Sequence, residues 1–206
     1  NDQYFIQITK IGMKQFIQLD QYRTKFLNKF DIIIFGGCDS ADSKFDSAFN
    51  EQFVNDYLLP YYGSGKALLL LHDTLDNHPG YWDSFKPIFG EYGSRPNPKD
   101  IQHTEKVAFF NQSHPLFTNM HPFRLKLNDK NEFQVADTHE TIPYPNDQRI
   151  IIGYSKNNRK FCYYRESERI GQIAIGHSTH DKVRQDITIS EKELLYNIIC
   201  HLTRPK

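Results

Sequence analysis

The chain has 206 residues and a mass of 24.3 kDa, the size of one domain with one sizeable core. Lys and Arg number 25 and Asp and Glu number 25, so the formal net charge is zero; the basic surplus of a nucleic-acid protein is missing, and so is any broad attraction to anionic membranes. Aromatic residues at 14%, with 16 Phe and 12 Tyr, exclude a disordered polar chain, and the longest apolar run, Ala67 to Leu71, is far too short to cross a bilayer.

In chain order, Tyr4 to Ile8 reads as a short strand. Lys14 to Phe30 places Phe16, Leu19, Tyr22, Phe26 and Leu27 near a 3.6-residue period, so at least part of it is predicted to be helical. Asp31 to Phe35 is a run of β-branched residues stopped by Gly36 and Gly37, the pattern of a buried parallel strand. Ser43 to Leu59 carries Phe45, Phe49, Phe53, Val54, Tyr57 and Leu58 at amphipathic spacing and predicts a helix ending near Pro60. Ala67 to Leu71 is a second buried strand, ending at His72 and Asp73, and completes a βαβ unit.

Thr74 to Asp100 is rich in Pro, Gly and Asn and reads as a long functional loop with one helical turn at Tyr81 to Ile88. Further strands are predicted at Lys106 to Phe110, Phe123 to Leu127, Arg149 to Tyr154, Phe161 to Arg165 and Gly171 to Ile175. In the final helix Ser190 and Glu193 form a capping box, and Leu194, Leu195, Ile198, Ile199 and Leu202 make one apolar stripe.

Cys38, Cys162 and Cys200 are too few, and odd in number, for a disulfide framework; with no CxxC pair they favour a reducing, cytoplasmic compartment for a soluble chain. Gly63-Ser64-Gly65-Lys66 lacks phosphate-loop spacing and no dinucleotide fingerprint follows a strand, so no nucleotide cofactor is expected. The chain starts at Asn1 with no basic or apolar leader. The expectation is a single domain over 1–206, either excised from a longer chain with flanking domains or shorn of a leader.

Two strands with functional tips about thirty-five residues apart resemble the class I glutamine amidotransferase-like superfamily, with Ile32 to Gly37 similar to its oxyanion strand and Leu68 to Asp73 similar to its nucleophile elbow. The elbow residue is His72 and not Cys, which resembles the trehalose-utilisation (ThuA-like) branch. Tyr81-Trp82 with Phe89-Gly90, Asn111 to Leu116, Asn131-Glu132-Phe133 and Arg169 to His177 resemble further marks of that branch in the same order. Asn131 stands where the branch has Asp, and the branch's own N-terminal strand with its glycine- and histidine-rich tip is not evident. The resemblance implies a three-layer, flavodoxin-like α/β fold with a mostly parallel central sheet, and an antiparallel edge from the strands between Phe123 and Arg165. It also implies a small-molecule carbohydrate ligand.

His72 is the sharpest chemical candidate. The end of a parallel strand faces the crevice where α/β ligands bind, and an imidazole there serves as general base or metal ligand near neutral pH. Asp73 orients it; the competing structural role is a histidine bonded to a loop carbonyl. The resemblance makes His177 its partner, with His180 close behind in sequence. Two histidines and a carboxylate also suit a divalent ion, although a His pair three apart in a loop is common by chance. Glu132 is a candidate acid/base or sugar contact, against the commoner role of a solvated glutamate beside a strand. Gly36 and Gly37 supply backbone for substrate binding. Tyr81 and Trp82 suit stacking on a sugar face, or equally pinning the loop to the core.

Cys38 as a thiolate nucleophile needs an elbow and an adjacent base, whereas its Gly-Gly-Cys tip resembles the oxyanion strand. Cys162 and Cys200 read as core. The leading expectation is a carbohydrate-related ThuA-like domain that binds a sugar or oxidised sugar above His72, with acid/base or metal-assisted chemistry. The alternative is a non-catalytic binding or scaffolding module that keeps the fold without a Cys nucleophile.

Overall fold

The computed structural model describes residues 6–36, 52–71, 107–110, 132–134, 150–155, 160–165, 169–173 and 189–204. Its strands are β1 (Ile32–Gly36), β2 (Ala67–Leu71), β3 (Val107–Phe110), β4 (Glu132–Gln134), β5 (Ile150–Ser155), β6 (Lys160–Arg165) and β7 (Ile170–Ile173). They form one sheet in the order β1-β2-β7-β6-β5-β3-β4. β1, β2 and β7 run parallel, with Ile32 opposite Ala67, Gly36 opposite Leu71, Leu68 opposite Ile170 and Leu71 opposite Ile173. Ala67 to Leu70 are fully buried, as a strand covered on both faces requires. The two parallel pairings also run on past the strand starts: the Ala67 N–H donates to the Asp31 carbonyl at 3.1 Å and the Leu68 N–H to the Arg169 carbonyl at 3.0 Å.

The remaining pairings, β7 with β6, β6 with β5, β5 with β3 and β3 with β4, are antiparallel. The α/β fold has the expected parallel block and antiparallel edge, but the antiparallel share is larger than a mostly parallel sheet implies. Connection length accounts for two of these four pairings, β5 with β6 and β6 with β7. Residues 156–159 join β5 to β6 and residues 166–169 join β6 to β7, and a parallel crossover takes a dozen residues or more. β4 was not anticipated, since three residues are too few to show an alternating pattern. The strand expected at Phe123 to Leu127 lies outside the described residues. The one expected at Tyr4 to Ile8 does not form over Ile6 to Ile8, where Ile8 is 76% exposed and no strand among the described residues completes a ladder.

One face of the parallel block is covered by two helical stretches. The first is α1 (Met13–Gln18), a 3-10 turn at Asp20–Tyr22 and α2 (Arg23–Leu27). The Gly12 N–H donates to Gln15 Oε1 at 3.0 Å and closes half of a capping box at the start of α1. Lys14 to Phe30 is helical in part, as the periodicity predicts, and Asp20, at φ 45°, interrupts it.

The second stretch is helical from Gln52, passes through a π turn at Val54–Leu58 and ends as α3 (Leu59–Gly63). The predicted stop at Pro60 therefore gives way to a helix that continues through it. Proline has no N–H and crowds the carbonyl four residues back; the wider π turn immediately before Pro60 accommodates both. Phe16, Leu27, Phe53, Val54, Leu58 and Tyr61 close over Phe35, Leu68, Leu70 and Ile170 in one apolar cluster. Within it the Phe16 ring meets Phe53 and Tyr57 edge-on, at centroid distances of 5.1 and 5.3 Å. Arg23 ties the stretches together: its guanidinium donates to the Phe16 and Ile17 carbonyls and to the Tyr57 hydroxyl.

The other face carries α4 (Ile189–Leu202), which packs against β2 and β7. By the alternation of a strand, Leu69 and Ile173 lie on this face, and neither belongs to the first cluster. Leu194, Ile198, Ile199, Cys200 and Leu202 are buried, as are the polar Glu191, Asn197 and His201. The expected stripe is therefore present, but burial extends around the helix. Helical backbone already starts at Ile189, so Ser190 sits in the first turn and not at the cap. Helices on both faces of the sheet make three layers. No helix among the described residues is long and apolar enough to cross a membrane.

Candidate functional site

The C-terminal ends of the three parallel strands form one row: Gly36 lies opposite Leu71 and Leu71 opposite Ile173. Among the described residues, the next element after β1 is the helical stretch from Gln52, on one face, and the next after β7 is α4, on the other. In open α/β sheets the usual ligand position is at the strand tips where connections part to opposite faces. β2 is the middle strand of the three.

Of the candidate residues, Gly36 is described as the last residue of β1. Gly37 follows it in the chain, His72 and Asp73 follow Leu71, and His177 is the fourth residue after Ile173. Gly37, His72, Asp73, Tyr81, Trp82, His177 and His180 lie outside the described residues. Their described attachment points, Gly36, Leu71 and Ile173, are brought together.

Glu132 is not brought to this row's neighbourhood. It opens β4 and pairs with Phe109. The register places it at the same end of the sheet, but β4 is the far edge, five strand spacings from β2, or about 24 Å. One small ligand at the tip of β2 does not span that distance. The sequence carries no lateral strand order, which is why Glu132 could be grouped with His72 by motif alone.

Away from this end, a cleft of about 120 Å³ opens between α2 and α3, lined by Thr24, Leu27, Asn28, Asp56, Tyr57, Pro60, Tyr61 and Ser64. The Tyr61 hydroxyl donates to the Phe30 carbonyl at 2.9 Å. Burial, reinforced by the Asp31 carboxylate, holds this phenol above the ordinary tyrosine range. Lys66 Nζ donates to the same Phe30 carbonyl at 2.8 Å and lies 3.8 Å from Asp31. These groups fasten the start of β1 to the start of β2 and are structural. Burial also pushes the Cys200 thiol up, against a smaller opposing pull from Arg204, so this cysteine is a core residue as expected. Among the described residues no group of three His, Cys, Asp or Glu side chains could hold a metal ion.

Against solved structures, the chain is similar to a protein described as ThuA-like from Bacteroides uniformis, with a TM-score of 0.51, 12% identity, and coverage of 88% of this chain and 73% of that one. The likeness is one of fold: the three-layer α/β arrangement is similar to that of the ThuA-like protein. A protein described as a GMP synthase subunit from Thermoplasma acidophilum is also similar, with a TM-score of 0.48, 12% identity, and coverage of 87% and 76%. No family model and no curated protein matches the sequence.

Proposed function

We propose that this ThuA-like fold is a carbohydrate-related domain, with a sugar or oxidised sugar bound in the crevice at the tips of β1, β2 and β7. The observation that carries the reading is the single row formed by Gly36, Leu71 and Ile173, with helices on opposite faces of the sheet beside it. The likeness to the Bacteroides uniformis protein supports the fold on which the sugar reading rests.

In this reading Gly36 and Gly37 offer backbone groups to the ligand, and Tyr81 and Trp82 stack on the sugar face. His72, oriented by Asp73, accepts a proton from a sugar hydroxyl while His177 donates one to the opposing oxygen; both imidazoles work near neutral pH. His180 completes the polar rim. Glu132, at the far edge of the sheet, has no part in the chemistry. A divalent ion shared by His72 and His177 would polarise the substrate in place of one proton transfer.

The test is a ligand-observed NMR screen of neutral, oxidised and acidic sugars against the purified chain and its His72→Ala and His177→Ala variants. The expected result is binding to the wild type that falls in both variants. No binding by any sugar would overturn the reading. Metal content measured on the same samples decides the role of an ion: stoichiometric metal lost in both variants gives metal-assisted chemistry, and its absence in the wild type leaves acid/base catalysis. Sugar binding without turnover under any of these conditions would identify a non-catalytic binding module.

A further inference from the structure

We propose that the cleft between α2 and α3 is a second binding site, specific for a short primary alkylammonium ion. The inference is independent of the sugar reading and shares no residue with it.

The size and the lining of the cleft carry it. Its volume is about 120 Å³. An apolar cavity of about 150 Å³ holds one benzene molecule, so the cleft takes a chain of about four carbons with its terminal nitrogen. Leu27 and Tyr61 are buried, and with the half-buried Tyr57 and the Pro60 ring they give the alkyl chain an apolar wall.

The charge of the lining selects the head group. Asp56 contributes a carboxylate, and no cationic side chain belongs to the lining. The Asp56 side chain has no ion pair or hydrogen bond among the described residues, and the Lys66 ammonium is turned to Asp31 instead. Both helical stretches also end at the cleft: Asn28 caps the C-terminus of α2 and Ser64 that of α3, and both line it. The C-terminal end of a helix carries partial negative charge, so a carboxylate and two helix ends act on one small volume.

The other hydroxyls of the lining are already engaged. Ser64 Oγ donates to the Tyr61 carbonyl at 2.6 Å, the Tyr61 hydroxyl donates to the Phe30 carbonyl, and the Tyr57 hydroxyl accepts from Arg23. The Arg23 guanidinium is itself held by the Phe16 and Ile17 carbonyls, and Lys25 and Lys29 are exposed and outside the lining. Asp56, the Thr24 hydroxyl and the Asn28 side-chain carbonyl therefore offer acceptors to a ligand. An ammonium group, with three donors and no acceptor, matches that set; an anion does not.

The experiment titrates n-butylammonium chloride and, separately, 1-butanol into the full chain at constant ionic strength, following the amide resonances of Thr24, Asn28, Asp56 and Ser64. These resonances should shift with n-butylammonium, which should bind about tenfold more tightly than the alcohol, the combined pull of the carboxylate and the helix ends. Asp56→Asn should weaken n-butylammonium about fivefold, the upper end for a solvent-accessible ion pair. Asn28→Lys, which puts a cation into the lining, should abolish the preference for the ammonium. Both positions are exposed, and thermal melts of the variants should match the wild type. Equal binding of ammonium and alcohol, shifts centred elsewhere or absent, or a preference unchanged in both variants would overturn the proposal. Any of these results would leave the sugar site standing.

Discussion

Arg169 makes two separable contributions to stability. Its backbone is held at φ 54°, left-handed for a side chain with a β-carbon, and its guanidinium, on a half-buried residue, donates to the Arg204 carbonyl beyond α4 at 2.8 Å. Its carbonyl also accepts from Leu68, so the backbone position is fixed by the pairing of β2 with β7. Arg169→Ala removes the hydrogen bond and keeps the unfavourable conformation. The cost is about 1 kcal/mol, below the usual range for bonds to charged groups because the site is partly solvated. Arg169→Gly loses the same bond but relieves about 1 kcal/mol of left-handed strain. For a domain of this length Ala should lower Tm by about 3 °C, with Gly within about 1 °C of wild type. Thermal melts and urea titrations of the three proteins read the difference. Equal destabilisation by Gly and Ala, or a larger effect of Gly, would refute the reasoning.

Leu70→Ala, in the fully buried centre of β2, should cost about 3 kcal/mol in urea unfolding with an unchanged m-value. Arg23→Lys keeps the charge but not the planar fork that reaches Phe16, Ile17 and Tyr57, so a loss of about 1 kcal/mol is expected; a neutral effect would mean that charge alone matters there. Burial, with Asp31 adding to it, raises the Tyr61 pKa in the fold, so the unfolded chain releases this proton first. The contribution of Tyr61 to stability is therefore full below about pH 10, the ordinary tyrosine value, and is lost as pH rises through the folded value. Unfolding free energies above pH 10 should fall less steeply in Tyr61→Phe than in the wild type, and parallel slopes would contradict the assignment.

Where hydrophobic pattern decided the structure, it was legible. The run at Ile32 to Ile34 and the leucines of β2 read as parallel strands and form them, though Ile32 to Ile34 are only partly buried where Leu68 to Leu70 are fully so; the aromatic spacing before Pro60 read as a helix, and its described part, from Gln52, is one. What escaped was set by relations between distant segments. Pro60 stops a regular α-helix, but a π turn supported by Phe16 and Phe35 packing on Phe53 carries the backbone through it. Tyr4 to Ile8 alternates like a strand yet finds no ladder over its described part, and β4 is too short to alternate at all. For the site, the tips of β1, β2 and β7 were legible because glycines and a histidine end hydrophobic runs. Lateral order was not, and lateral order places Glu132 on the far edge of the sheet from the ends of β1, β2 and β7.

The central claim is that residues following β2 and β7 share one ligand site. Imidazole NMR resonances of His72 and His177, assigned through His72→Gln and His177→Gln, test it most directly during titration with the best-binding sugar from the screen. Both resonances should shift together, with one common dissociation constant. Movement of only one, or of neither while the sugar binds, would contradict a shared crevice at the tips of the parallel strands.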